Sequence, residues 1–279
     1  LWSQVPELDG TFTDNVFWKP RVNGDWNRDG TMDSLKNTAI YSAFRMGMMG
    51  HLGQIKALMP EKVVTGNIGD WGRPEATVPE YAGQLDGGLL ERYIGETWSH
   101  EGIDLNGKFN GWGSWSRMMG AYRKVMGLVK VPKLVIFNMK GKPTDYKTFR
   151  YGFASALMDD AYFDFSDGTG GSVYKTDVVW FDEYDLAGEK NTRWLGPTVD
   201  PPQTKPWQKG VYRRRFQNGM ALVNPRGNGD QIVTVGPGFK RFKGRQDPAY
   251  NNGGPAETVL LKDRDGILLV GPTPPPAPR

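Results

Sequence analysis

Up to about residue 165 the chain alternates short apolar runs with longer segments of helical period, and this alternation constrains it more than any other feature. Strand, helix and strand in succession call for parallel pairing, with a helix crossing over each time. Strands are predicted over 8–13, 62–66, 85–90, 133–138 and 161–165, and helices over 35–58, 114–129 and 146–158. The clearest buried strand is centred on Leu134-Val135-Ile136-Phe137. From about Gly210 the pattern changes to short strands at 211–216, 220–223, 231–235, 258–261 and 267–270, separated by Asn-Gly and Asp-Gly turns. The expected organisation is therefore an α/β portion over 1–207, an all-β module over 208–271 and a proline-rich tail over 272–279.

Composition narrows the chemistry. An apolar content of 38% supports a core, and no run of eighteen apolar residues is present to span a membrane as a helix. The N-terminus, Leu1-Trp2-Ser3-Gln4-Val5, has neither an initiator Met nor a basic-then-apolar signal pattern, so the expectation is a piece of a longer chain. Zero cysteines exclude thiolate nucleophiles and zinc–thiolate sites and are compatible with an extracellular location. Two histidines, His51 and His100, leave little room for a His-based metal site or a Ser-His-Asp triad. The charge of +4 and the basic runs at Arg213-Arg214-Arg215 and 240–245 come without a nucleic-acid-binding signature, so a solvated β face is expected there. Carboxylates, amides, hydroxyls and aromatics remain.

Two strands echo each other. One reads Leu8-Asp9-Gly10-Thr11-Phe12-Thr13-Asp14, the other Leu85-Asp86-Gly87-Gly88-Leu89-Leu90-Glu91. In each, an acid stands five residues beyond the Asp, where the strand leaves for its βα loop. In parallel barrels that rim carries the active site. Between these strands lies one more, ending in Gly66-Asn67. Acids on alternate strands suit glycosidic cleavage, which needs one protonated acid at the leaving oxygen and one ionised partner facing the developing oxocarbenium ion. Glu91 is thus the candidate general acid/base and Asp14 the candidate nucleophile or stabiliser; spacing for retention or inversion is open at this level. Asn67 either binds a sugar hydroxyl or terminates its strand. Trp18, Trp71 and Trp98, in Gly- and Asn-rich loops, are candidate stacking platforms for sugar rings; Asp182 in Trp180-Phe181-Asp182-Glu183 either belongs to an exposed acidic turn, the favoured reading, or is a reserve acid on the substrate side. Asp25, Asn27, Asp29 and Asp33 match the start of an EF-hand-type Ca²⁺ loop, although Lys36 stands where a bidentate acid belongs; Asx turns are the alternative. No cofactor is required by the carboxylate chemistry.

In combination, several motifs resemble the family known as hypothetical glycosyl hydrolase family 15. They are Asp14-Asn15-Val16-Phe17-Trp18-Lys19-Pro20, Gly24-Asp25-Trp26-Asn27-Arg28-Asp29-Gly30, Gly66-Asn67, Asp86-Gly87-Gly88-Leu89-Leu90-Glu91-Arg92-Tyr93, Trp180-Phe181-Asp182-Glu183-Tyr184-Asp185 and, in the tail module, Gly210-Val211-Tyr212-Arg213-Arg214-Arg215-Phe216 with Val223-Asn224-Pro225. The resemblance implies a partial (β/α)8 TIM barrel, about strands four to eight, followed by a small β-domain. It also implies a secreted glycoside hydrolase with a carbohydrate substrate; the charge pattern, for its part, leads to no expectation of a nucleic-acid partner. The competing expectation is a non-catalytic carbohydrate-binding or cell-surface protein on the same scaffold.

Overall fold

The computed structural model describes residues 7–72, 79–169, 179–187 and 192–272. The chain divides into two compact units, Leu1–Asn138 and Met139–Arg279.

The first unit holds strands β1 (Gly10–Thr13), β2 (Val63–Gly66) and β3 (Gly87–Ile94), the start of β4 (Leu134–Gly141), and helices α1 (Ile40–Leu58) and α2 (Trp115–Leu128). β1 and β2 pair in parallel, from Gly10 opposite Val63 to Thr13 opposite Gly66. A parallel bridge joins Asn67 to Leu89 on β3. The Leu134 N–H donates to the Asp86 carbonyl at 2.8 Å, and the Arg92 N–H to Asn138 Oδ1 at 2.8 Å. Both contacts advance together along the chain, so β4 runs beside β3 in the same direction.

The echoed Asp-Gly pairs have one structural cause. Val63 N–H donates to the Asp9 carbonyl at 3.0 Å, as Leu134 does to Asp86. A Cβ on Gly10 would lie 2.1 Å from the Val63 carbonyl oxygen, and one on Gly87 would lie 2.1 Å from that of Leu134. Each glycine lets the next strand begin in contact with its backbone. Asp86 also anchors the start of β3: its Oδ2 accepts from Val64 N–H and from Lys56 Nζ on α1, each at 2.8 Å. Behind the sheet, Val64, Leu90, Tyr93, Met118, Tyr122 and Phe137 are buried, and Ser114 caps α2 by accepting from Arg117 N–H.

In the second unit, α3 (Tyr146–Leu157) follows β4, and β5 (Tyr162–Asp167) runs beside the end of β4, with Gly168 N–H donating to the Gly141 carbonyl at 2.7 Å. Phe149 stacks on Phe181 at 3.6 Å and meets Phe163 and Phe165 edge-on. The antiparallel module comprises β6 (Tyr212–Phe216), β7 (Gly219–Asn224), β8 (Gln231–Thr234), β9 (Lys240–Arg241), β10 (Thr258–Leu261) and β11 (Asp265–Val270). Its sheets are ordered β6-β7-β11-β9 and β10-β8. α3 packs on β7 and β11. Gly266 permits this, since a Cβ there would lie 2.5 Å from the Arg150 carbonyl oxygen. Residue 207, where composition changes, therefore lies inside the second unit. Of the tail, 273–279 fall outside the described residues. Among those described, no helix is long and apolar enough to cross a membrane.

Candidate active site

Three residues predicted from the sequence meet at the C-terminal edge of the first unit's strands. Asp14 directly follows β1, Asn67 directly follows β2, and Glu91 lies on β3. Asn67 Nδ2 donates to Asp14 Oδ1 at 3.1 Å and to Glu91 Oε2 at 2.8 Å. Both oxygens bond the same nitrogen, so they lie no more than about 6 Å from each other. Asp14 Oδ2 accepts a further bond from Asn15 Nδ2 at 3.0 Å. Glu91 Oε1 faces Arg92 Nε at 3.9 Å, and the same guanidinium reaches Glu96. The Asp14 side chain is exposed and that of Glu91 partly so, which leaves both within reach of a ligand.

The backbone around the acids is unusual in the same way twice. Asn15 and Arg92, each the residue after an acid, have φ of 56° and 50°. Asn tolerates the left-handed region; Arg pays about 1 kcal/mol or more to sit there. Arg92 is held by its N–H bond to Asn138 Oδ1, so Asn138 supports the end of β3. Glycine does the rest. A Cβ on Gly69 would press on the Glu91 backbone, and one on Gly66 would lie 2.5 Å from Val16 Cγ2.

The loop leaving Asp14 is clamped. Val16 N–H donates to the Asn67 carbonyl at 2.9 Å. Three successive carbonyls then each accept from a side chain: Val16 from Trp71 Nε1 at 2.9 Å, Phe17 from the Tyr81 hydroxyl and Trp18 from Arg45 Nε at 3.1 Å. Burial pushes the Tyr81 phenol up, so it remains a donor. Arg21 closes the rim by pairing with Asp70 at 2.6 Å. Side chains held this firmly suit a site that must keep reacting groups in register.

The remaining candidates are placed differently. Trp18 and Trp71 are 6% and 2% exposed, so their ring faces are closed to a sugar. Trp71 is a hydrogen-bonded wedge beneath the Asp14 loop, while Trp18 packs edge-on to Tyr41, with Lys19 Nζ 4.8 Å above it. Loop composition marked these residues as platforms, but the loops fold back onto the core. Trp98 is half-buried beyond β3. Asp182 belongs to the second unit, is buried, and accepts the backbone N–H groups of Arg245 and Gln246 on Oδ2, so it anchors a loop. In the 25–33 segment, Asp25 accepts from the N–H groups of Asp29 and Gly30, Asn27 from Asp29 and Asp29 from Thr31. Asp33 accepts from Trp26 N–H. The Asn27–Asp29 and Asp29–Thr31 bonds are Asx-type turns. They hold the Asp29 carboxyl below its ordinary range, led by the Thr31 N–H. Among the described residues, no group of three or more His, Cys, Asp or Glu is arranged to hold a metal.

No protein-family profile and no curated protein matches the chain. Among solved structures, Eubacterium rectale Amy13B aligns over 87% of this chain and 65% of its own, with a TM-score of 0.39 and 10% identity. A likeness of that size carries no argument about fold or function.

Proposed function

We propose that the chain is the C-terminal part of a (β/α)-barrel glycoside hydrolase that acts outside the cell on a polysaccharide or glycoconjugate, using Asp14 and Glu91 with retention at the anomeric carbon. Residues 1–207 belong to the barrel in this reading and 208–271 to an accessory β-domain. One observation carries it: a single amide bonds both carboxylates, so the two accepting oxygens lie within about 6 Å of each other, nearer the about 5–5.5 Å of retaining enzymes than the about 6.5–9.5 Å that leaves room for an attacking water. A barrel is further supported by the face that carries the acids. Strand alternation puts Phe12, Leu89 and Ile136 on the same face as Asp14, Glu91 and Asn138. Phe12 is 54% exposed, an apolar side chain that further barrel strands would cover.

In the first step Asp14 attacks the anomeric carbon while Glu91 gives its proton to the leaving glycosidic oxygen, which forms a glycosyl ester on Asp14. Glu91, now ionised, takes a proton from water; that water's oxygen attacks the anomeric carbon and releases Asp14. The test is to screen the full-length protein, with the barrel strands that this reading places ahead of residue 1, on a glycan panel and follow the first-formed product by ¹H NMR. Retained configuration is expected, with turnover abolished in Glu91→Gln. An inverted product would overturn the spacing argument, and binding without any product would favour the non-catalytic carbohydrate-binding alternative.

A further inference from the structure

Asn67 has no donor left for a sugar. Both side-chain hydrogens go to carboxylates, Oδ1 accepts from Gly69 N–H at 3.1 Å, its backbone N–H donates to the Thr13 carbonyl at 2.9 Å, and its carbonyl accepts from Val16. The Gly69 bond fixes which end of the amide faces the acids, because an N–H can be met only by the oxygen. Two carboxylates this close repel each other, and an NH2 between them offsets the repulsion while fixing their separation.

We infer that Asn67 is a positioning residue that sets the spacing of the carboxylate pair, and that it does not bind substrate. This rests on the reading that Asp14 and Glu91 are the catalytic pair. Asp14 Oδ1 and Glu91 Oε2 are tied to the same amide, so the nucleophile and the acid keep their distance as charge moves between them.

The first test needs no activity. In ¹H–¹⁵N spectra of the full chain, the Asn67 side-chain NH2, assigned by its loss in Asn67→Ala, should have one hydrogen moved upfield by Asp14→Asn and the other by Glu91→Gln, since each variant replaces a charged acceptor by a neutral one. If neither hydrogen moves, or the same one moves in both variants, the positioning role fails. The second test is kinetic. Asn67→Ala should lower kcat by about ten- to a hundredfold with KM within about threefold. Asn67→Asp, a third carboxylate, should move the acidic side of the pH–rate profile up by about one pH unit, which mere loosening would not do. A raised KM with unchanged kcat would instead make Asn67 a sugar-binding residue and overturn the inference. Should Asn67→Ala not fold, the two variants that keep Asn67 decide by their spectra, with the assignment taken from triple-resonance data. Wild-type turnover in Asp14→Asn and Glu91→Gln would sink the hydrolase reading alone, while the spectra still decide the role of Asn67.

Discussion

Gly69→Ala puts a methyl where the structure has no room. The new Cβ would lie 2.9 Å from the Glu91 carbonyl oxygen, 3.0 Å from its nitrogen and 3.2 Å from its Cβ, whereas ordinary contact begins at 3.4 Å. Two of the three neighbours are backbone atoms of a paired strand, so relief requires Glu91 or the Gly69–Gly72 turn to retreat by about half an ångström. Overpacking of this kind costs about 1–3 kcal/mol. Part of that is offset, by about 0.4–1 kcal/mol, because Ala has less freedom than Gly in the unfolded chain. A net loss of about 0.5–2 kcal/mol is expected by urea denaturation, together with a roughly ten- to hundredfold slower turnover, since displacing a catalytic acid by a fraction of an ångström removes near-attack geometry. Gly47→Ala is the control. It lies on α1 with nothing within 4 Å of its Cβ, and should stabilise the chain by about 0.5–1 kcal/mol without touching activity. A Gly69→Ala protein as stable and as fast as the wild type would refute the close approach of Gly69 to Glu91.

Three further outcomes are expected. Burial pushes the Asp265 carboxyl up to about 6, only partly opposed by Arg150, so the folded state prefers it protonated and its contribution is lost as pH rises through about 6. Stability should therefore gain up to about 3 kcal/mol as pH falls from 7.5 towards 4, less in Asp265→Asn; the same slope in both proteins, by thermal melts, would contradict this. Trp71→Phe leaves the Val16 carbonyl without its 2.9 Å donor and should cost about 1–3 kcal/mol in urea denaturation, and an unchanged midpoint would remove the clamp from the explanation. Asp182→Ala should lower stability by about 1–3 kcal/mol through two orphaned N–H groups yet keep turnover within about twofold, whereas a loss comparable to Glu91→Gln would return Asp182 to the mechanism.

The strands were legible where backbone contact dictates residue type. Asp9-Gly10 and Asp86-Gly87 announced strand starts because a neighbouring carbonyl leaves no space for a side chain, and the acids five residues on arrived at one edge because parallel pairing keeps register. The start of α1 was misplaced. Leu35 fits the helical period, but Ser34 and Asn37 take the N–H groups of Lys36 and Ala39 in turns, and the helix begins at Ile40. β3 was expected to stop at Leu90; it continues to Ile94 through the left-handed Arg92, which no periodicity reveals. Nor does it reveal that Trp71 and Trp18 turn inwards, because exposure is decided by what a loop packs against. Asn138, which supports Arg92, lies inside β4, and nothing in the run 134–138 distinguishes it from an ordinary strand residue. The pressure of Gly69 on Glu91 joins residues 22 positions apart and has no local signature.

The most direct measurement is turnover of Asp14→Asn, Glu91→Gln and the double variant on the best substrate from the glycan panel. Carboxylates that share one amide and one reaction should behave as a unit, the double being no more than about threefold slower than the slower single. Single losses that multiply in the double, or either single turning over like the wild type, would mean that residues 14 and 91 do not work together.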